Sequence, residues 1–440
     1  MILRVILKNF LSFDNEVQFD MFPNMKRTHL QNHIYTSLCD IPVLKQAAVF
    51  GPNGSGKSNL VKALEFVRAF VIDKNFISKI DLQKFFYLLK EDAMEEPLCI
   101  AIEFEFKKQF FFYEIEIAKK HIAKECLWET FPLKGMMEIV FERKKNNIRF
   151  AESADVDGAI VEATKKLVEK NKMASVMALN SEFPIIPDKR CRLATNWFAS
   201  KLEIIGVFSF MPTLIELLRK NDQMMDFVHN LVYLLGVGVD DVNLNETDFD
   251  QWAQKHIELA NSIPDDIRKV KSLSLNANNK PVLSINIEDG VRKVYQLIFD
   301  NIGKDGFVGK LDTSSQSDGT LRVLTLLPAL YFAAKQGKTV VVDEINCCLS
   351  SNMVKGIVEY FAGTNDTNGQ LIFTTHDEQL LEEKNILRSD EIWFVDKHEG
   401  ASVIYSHNDF KEHHTISTLK GYKEGRYGAI RYVKLLQQNG

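Results

Sequence analysis

The chain has 440 residues, 45% of them hydrophobic and 26% charged, with a formal net charge of −5. That is enough for two or three cores, too ordinary a mixture for a disordered or fibrous chain, and too close to neutral for a general nucleic-acid binder, although a local basic face stays open. Six scattered cysteines with no CxxC pair argue against a zinc site, and no apolar run is long enough to span a membrane. A cytoplasmic protein is expected.

The opening MILRVILKNFLSFD is apolar but carries Arg4 and Lys8 and has no small-residue cleavage site, so it reads as a first strand. Strands are expected at 2–7 and 16–20 around a turn at Asp14-Asn15, and a buried strand at 46–50. Next comes Gly51-Pro52-Asn53-Gly54-Ser55-Gly56-Lys57-Ser58, which fits the phosphate-loop spacing GxxxxGK[ST]. Glycines let successive backbone N–H groups turn inward on phosphate oxygens, and the helix opening at Lys57 adds its positive dipole end. Asn53, Gly54, Ser55, Gly56, Lys57, Ser58 and the adjoining Asn59 form the expected ATP-binding set. Lys57 is expected on the β- and γ-phosphates and Ser58 on Mg²⁺. The helix after the loop should bury Leu60, Leu64, Val67 and Val71.

CIAIEFEFKKQFFFYEIEIA alternates apolar and acidic residues on both sides of Lys107-Lys108, which predicts a hairpin of strands 98–106 and 109–118. The basic clusters Arg143-Lys144-Lys145 and Arg268-Lys269 with Lys271 read as solvated surface. From 151 to about 285 the three-four spacing of VEATKKLVEKNK, MPTLIELLRKNDQMMDFVHNLVYLLG and DFDQWAQKHIELANSI predicts a compact helical insertion. It lacks a sustained heptad and is too short for a long antiparallel arm. The expected division is therefore 1–150, 151–285 and 286–440.

The last third returns to α/β alternation, with a strand at 282–288 and buried strands at 339–344, 370–376 and 391–397. VVVDE places Asp343 and Glu344 at a strand end, the carboxylate pair that a phosphate loop needs: Asp343 for the Mg²⁺ shell, Glu344 to orient or deprotonate the attacking water. Cys347 and Cys348 follow, expected as small core residues. LIFTTHDEQLL sets His376 at the end of the next strand, and SSQSDGTLRVLTLLP starts a helix ahead of the acidic pair with Ser317 and Gly319 at its N-terminus.

These patches, in this order and with most of the chain between Lys57 and Asp343, resemble the SMC-like ABC ATPases of bacteria, a group similar to the ATPase parts of OLD nucleases and of phage-defence (abortive-infection) systems. LKNFLSF, the phosphate loop, SDGTLRVL, VVVDE, TTHD and the tail KGYKEGRYGAI carry the resemblance. It implies an α/β ATPase head with a phosphate-loop parallel sheet and an antiparallel β-subdomain. It implies ATP and Mg²⁺, with Glu344, His376 and Lys57 catalytic and His376 on the γ-phosphate. Ser317 and Gly319 would act as a signature completing the site of a second copy in a head-to-tail nucleotide dimer or a higher assembly, and Ser12 as a first-loop contact. The implied role is a sensor or scaffold in antiviral defence, answering a DNA or phage trigger and controlling a separately encoded TOPRIM-like or RloB-like nuclease. DNA repair or segregation by direct action on DNA stands as the alternative. The chain departs from the pattern at Leu11, where relatives often carry arginine, at Cys348-Leu349-Ser350-Ser351, where they often carry a D-loop histidine, and at Arg431, where the tail usually has proline; Gln83 is a candidate Q-loop glutamine, with solvated surface as its competing and favoured reading.

Overall fold

The computed structural model describes residues 1–36, 41–151, 158–183, 186, 188–207, 214–261, 263, 272–277, 280–364, 367–383, 385–410 and 417–430. Cys39, the Arg268, Lys269 and Lys271 cluster and Arg431 lie outside the described residues. The chain forms two compact units: Met1–Ile204 with Ala333–Glu344 and Glu359–Gly440, and Ile205–Phe332 with Ile345–Val358. The first unit thus runs past residue 150 and takes in segments from both ends of the chain.

The first unit is built on two large sheets. One is antiparallel, with strands in the order Asn147–Phe150, Met136–Lys144, His121–Phe131, Gln109–Ala118, Leu98–Phe106, Ile2–Lys8, Val17–Asp20. The hairpin across Lys107-Lys108 sits at its centre, Phe106 pairing with Gln109. Its alternation works as read: Phe111, Tyr113, Ile115 and Ile117 are buried and Glu114 and Glu116 are not. The second sheet runs Leu202–Ile205, Thr339–Val342, Gln370–Thr375, Gln46–Phe50, Ile392–His398, Ala401–Ser406. Gln46–Phe50 lies between two parallel neighbours, Gln370–Thr375 and Ile392–His398, and Gln370–Thr375 also pairs in parallel with Thr339–Val342. All five residues of Gln46–Phe50 are buried, as a strand covered on both faces requires. The helix Lys57–Ile72 buries Leu60, Leu64, Val67 and Val71 in the core shared with the antiparallel sheet. The glycine-rich tail docks on the outer strand pair. Tyr422 and Tyr427 stack on Phe394 at 5.5 and 5.6 Å, and Tyr405 donates to the Tyr427 carbonyl at 2.5 Å.

The second unit holds the helices Leu214–Lys220, Asp222–Leu235 and Phe249–Lys255, but also an antiparallel sheet of Asp241–Asp248, Val291–Ile302, Lys280–Glu288 and Ser272–Ala277, with Val308–Asp312 paired to Val291–Ile302. The helical expectation for 151–285 is corrected here. Asp241–Asp248 reads DVNLNETD, too polar to announce a strand, and its ladder with Val291–Ile302 is what holds it extended.

Two surface and core expectations also change. Arg143 is buried: its guanidinium donates to the carbonyls of Lys145, Ala174 and Lys172 and lies 3.8 Å from Glu125. Cys347 is only partly buried and Cys348 is exposed, so neither is a core residue.

Candidate functional site

The Gln46–Phe50, Thr339–Val342 and Gln370–Thr375 strands run in the same direction, so the residues after each emerge on one side of the sheet. The crevice beyond the carboxyl ends of parallel strands is where open α/β sheets bind ligands. Here those ends carry Gly51 to Ser58, Asp343-Glu344 and His376.

The loop between strand and helix is tightly supported from behind. Gly56 has φ +115, and a Cβ on it would lie 2.3 Å from Ser402 Oγ and 2.6 Å from Ser12 Oγ, so only glycine fits both the turn and the approach. The Ser402 hydroxyl donates to the Ser55 carbonyl at 2.5 Å and lies 2.7 Å from Ser12 Oγ, which also accepts from Asn59 Nδ2 at 2.7 Å. Ser12 and Asn59 therefore shape the loop from its rear. Asn53 and Gly54 are exposed at its tip.

Lys57 is buried across the loop. Its ammonium donates to the Gly51 carbonyl at 2.8 Å and the Pro52 carbonyl at 3.4 Å and lies 3.3 Å from Glu344 Oε1. Ser58 donates to Asp343 Oδ1 at 3.0 Å. Thr374 locks the acidic pair: its hydroxyl donates to Asp343 Oδ1 at 2.6 Å and accepts from the Glu344 backbone N–H at 2.7 Å. Glu344 sits at φ +48, a left-handed conformation that costs a non-glycine residue about 1–3 kcal/mol and that clusters at functional sites. His376 Nδ1 lies 2.8 Å from Glu344 Oε2, so the Nδ1–H tautomer donates to the carboxylate. Lys57, Ser58, Asp343, Glu344 and His376 thus form one connected cluster drawn from three distant stretches of sequence.

The cluster suits a magnesium triphosphate. Ser58 Oγ and Asp343 Oδ1 are adjacent hard oxygens of the kind Mg²⁺ takes, and Lys57 is a cation held only by carbonyls and one carboxylate among its hydrogen-bond and ion-pair partners. Ser55 Oγ is buried within the loop without a hydrogen-bond partner, an orphan that a phosphate oxygen would satisfy.

Two residues of the cluster escape a motif-based reading. Thr374 is visible only as the first threonine of TTHD, and Ser402 only as a small residue in GASVIYS. Each acts on a motif residue through space, across more than thirty positions in the first case and hundreds in the second.

Ser317 and Gly319 belong to the second unit. Ser317 Oγ accepts from the Thr320 backbone N–H at 3.1 Å, capping the helix Asp318–Gln336, and Thr320 Oγ1 donates to the Val237 carbonyl at 3.1 Å. A Cβ on Gly319 would lie 2.8 Å from the Cys348 carbonyl, so glycine is required by that close approach. Gln83 is exposed in the short turn Leu82–Phe85.

A family model described as "AAA domain, putative AbiEii toxin, Type IV TA system" matches residues 47–157 and 214–382. Comparison with curated proteins finds no match. Solved structures similar to this chain include an SMC head domain from Thermotoga maritima, at 12% identity and TM-score 0.41, covering 92% of this chain and 98% of that one. An SMC head bound to the C-terminal winged-helix domain of ScpA is 14% identical with TM-score 0.45, covering 92% and 97%. An Smc head with an extended coiled coil, bound to the C-terminal domain of ScpA derived from Pyrococcus furiosus, is 13% identical with TM-score 0.42, covering 97% and 98%.

Proposed function

The chain belongs to the AAA-domain family whose model spans most of it, and from that premise and the cluster at the strand ends we propose that it binds ATP with Mg²⁺ and hydrolyses it. The observation that carries the reading is the contact of Lys57 and His376 with opposite oxygens of Glu344, beside the Ser58–Asp343 pair. Such a set has little use in a purely structural core.

Bound Mg²⁺ would neutralise charge on the transferred phosphoryl group, with Ser58 and Asp343 as its protein ligands. Lys57 exchanges the Gly51 and Pro52 carbonyls for phosphate oxygens. Glu344, released from Lys57, takes a proton from the attacking water, a role worth about 10²–10⁴ in rate. His376, like Lys57, leaves Glu344 and turns its single ring N–H to the γ-phosphate. Backbone N–H groups of the loop and the start of the Lys57–Ile72 helix hold the remaining charge. Thr374 keeps Asp343 and Glu344 in register throughout.

Ser317 and Gly319 complete the site of a second copy, so turnover needs a head-to-tail dimer. Nucleotide state then controls a partner of the defence kind, a separately encoded nuclease. The family's description, which names a toxin of a toxin–antitoxin system, favours this over direct DNA repair.

The test is steady-state phosphate release by wild type, Ser317→Arg and Glu344→Gln. Loss of turnover in Ser317→Arg with ATP binding retained, together with an ATP-trapped dimer of Glu344→Gln, supports the reading. Full activity of Ser317→Arg overturns the shared site. A nuclease encoded beside this chain should co-purify with Glu344→Gln and ATP; equal capture with and without ATP overturns nucleotide control.

A further inference from the structure

We propose that Cys347 and Cys348 form a modification site, a vicinal dithiol that a low-molecular-weight disulfide oxidises to a reversible bridge. The two Sγ atoms lie 3.7 Å apart, Cys347 is partly exposed and Cys348 exposed. The other described cysteines are poor competitors. Cys126 and Cys191 are buried, and burial pushes the thiols of Cys99 and Cys126 up to about 12 and that of Cys191 up as well. The thiolate is the species that attacks a disulfide, so the accessible pair reacts first.

The step balances as an exchange. One thiolate attacks the oxidant's S–S bond, releasing one small thiol and leaving a mixed disulfide; the neighbouring thiolate attacks that bond and releases the second. Two S–H bonds and one S–S bond break, one S–S bond forms in the protein, and both protons end on the released thiols.

Adjacency makes the bridge labile. Consecutive Cα atoms are roughly 3.8 Å apart across a trans peptide, short of the roughly 4.4–6.8 Å usual for a disulfide. The closed ring therefore stores strain and is readily reduced, the property of regulatory rather than structural bridges. The local backbone has little slack to absorb it. Cys348 already sits at φ +62, and its carbonyl packs so closely on Gly319 that a Cβ there would lie at 2.8 Å. Closing the ring turns the Cys347–Cys348 backbone, displaces that carbonyl, and disturbs Gly319 and the cap made by Ser317. The pair also follows Glu344 by only three and four residues. The effect on turnover rests on the ATPase reading above; the chemistry at the thiols does not.

The experiment treats the full chain with oxidised glutathione in defined mixtures with reduced glutathione, and reads intact mass, peptide map and phosphate release. The expected result is one bridge per chain, seen as the loss of two hydrogens on the peptide holding Cys347 and Cys348. It should be removed by dithiothreitol, and phenylarsine oxide, which clamps paired thiols, should block it. Cys348→Ser should give a glutathione adduct at Cys347 instead. Turnover should fall severalfold on oxidation and recover on reduction, with no response in the double variant Cys347→Ser/Cys348→Ser. Separate glutathione adducts on both thiols, a cross-link between chains, or an unmodified peptide overturns the site. A bridge that leaves turnover unchanged overturns its coupling to Gly319. If the reduced protein has no ATPase activity, the earlier reading fails while the mass readout still decides this one.

Discussion

Two carboxylates of the first unit each meet a basic side chain, and they are held in opposite ways. Glu125 is fully buried and saturated: it accepts from Tyr113 at 2.9 Å, Ser175 at 2.8 Å and the Val176 backbone N–H at 2.9 Å, with Arg143 3.8 Å away. Burial raises its pKa, and Arg143 and the hydrogen bonds only partly offset this. Arg143 in turn spends its guanidinium on three backbone carbonyls, and those of Lys172 and Ala174 fasten the strand Met136–Lys144 to the turn ahead of the helix Val176–Glu182. Glu344 stands on a strained backbone, partly open to solvent, between Lys57 and His376. A saturated cluster gives rigidity; a strained carboxylate between two partners is the arrangement that the proposed hydrolysis would use.

That contrast predicts how each should break. The largest effect is expected at Glu344. Glu344→Gln should lower phosphate release by about 10²–10⁴ while leaving ATP binding and the melting temperature close to wild type. An equal fall in stability would place Glu344 with Glu125. Next is Arg143→Ala, which strands a buried carboxylate and should cost about 3–5 kcal/mol in denaturant unfolding. The folded fraction should bind ATP as wild type does, and lost affinity would dissolve the distinction. Gly56→Ala follows: its left-handed φ costs alanine about 1–2 kcal/mol before any clash with Ser402 and Ser12. ATP affinity should drop about tenfold or more by calorimetry.

The smallest effect extends the comparison to a carboxylate of the second unit. Burial alone would raise the pKa of Glu216, but hydrogen bonds from Ser284, Asn286, Arg219 and Lys220 bring it down to about 2. A depressed carboxylate contributes stability that is complete above the unfolded value of about 4.3 and lost as pH falls through the folded one. Wild type should therefore lose its advantage over Glu216→Gln in urea midpoint between pH of about 4.5 and 2. A gap that does not change with pH would show the carboxylate's charge to be irrelevant.

What could be read from the sequence follows the range of each signal. Alternation in CIAIEFEF and glycine spacing in GPNGSGKS are local, and the hairpin and the loop stand where they place them. The carboxyl-end strands were equally plain, because buried parallel strands read as continuous apolar runs. Arg143 looked like surface because a basic triplet is usually solvated, and only the fold brings Glu125 and the Ala174 carbonyl to it. Cys347-Cys348 looked like core because cysteine is often buried, yet the turn after Glu344 carries them outward. Asp241–Asp248 owes its strand to a partner that follows some fifty residues later. Thr374 and Ser402 support the site through contacts that no spacing rule encodes.

The central claim is that Lys57 and the Ser58–Asp343 pair together receive a magnesium triphosphate. Titration calorimetry of ATP with Mg²⁺ into wild type and Lys57→Ala tests it most directly. One site per chain that weakens when Mg²⁺ is removed and disappears in Lys57→Ala is the expected result. A wild-type protein that ignores ATP, or a Lys57→Ala protein that binds it equally well, would contradict the account.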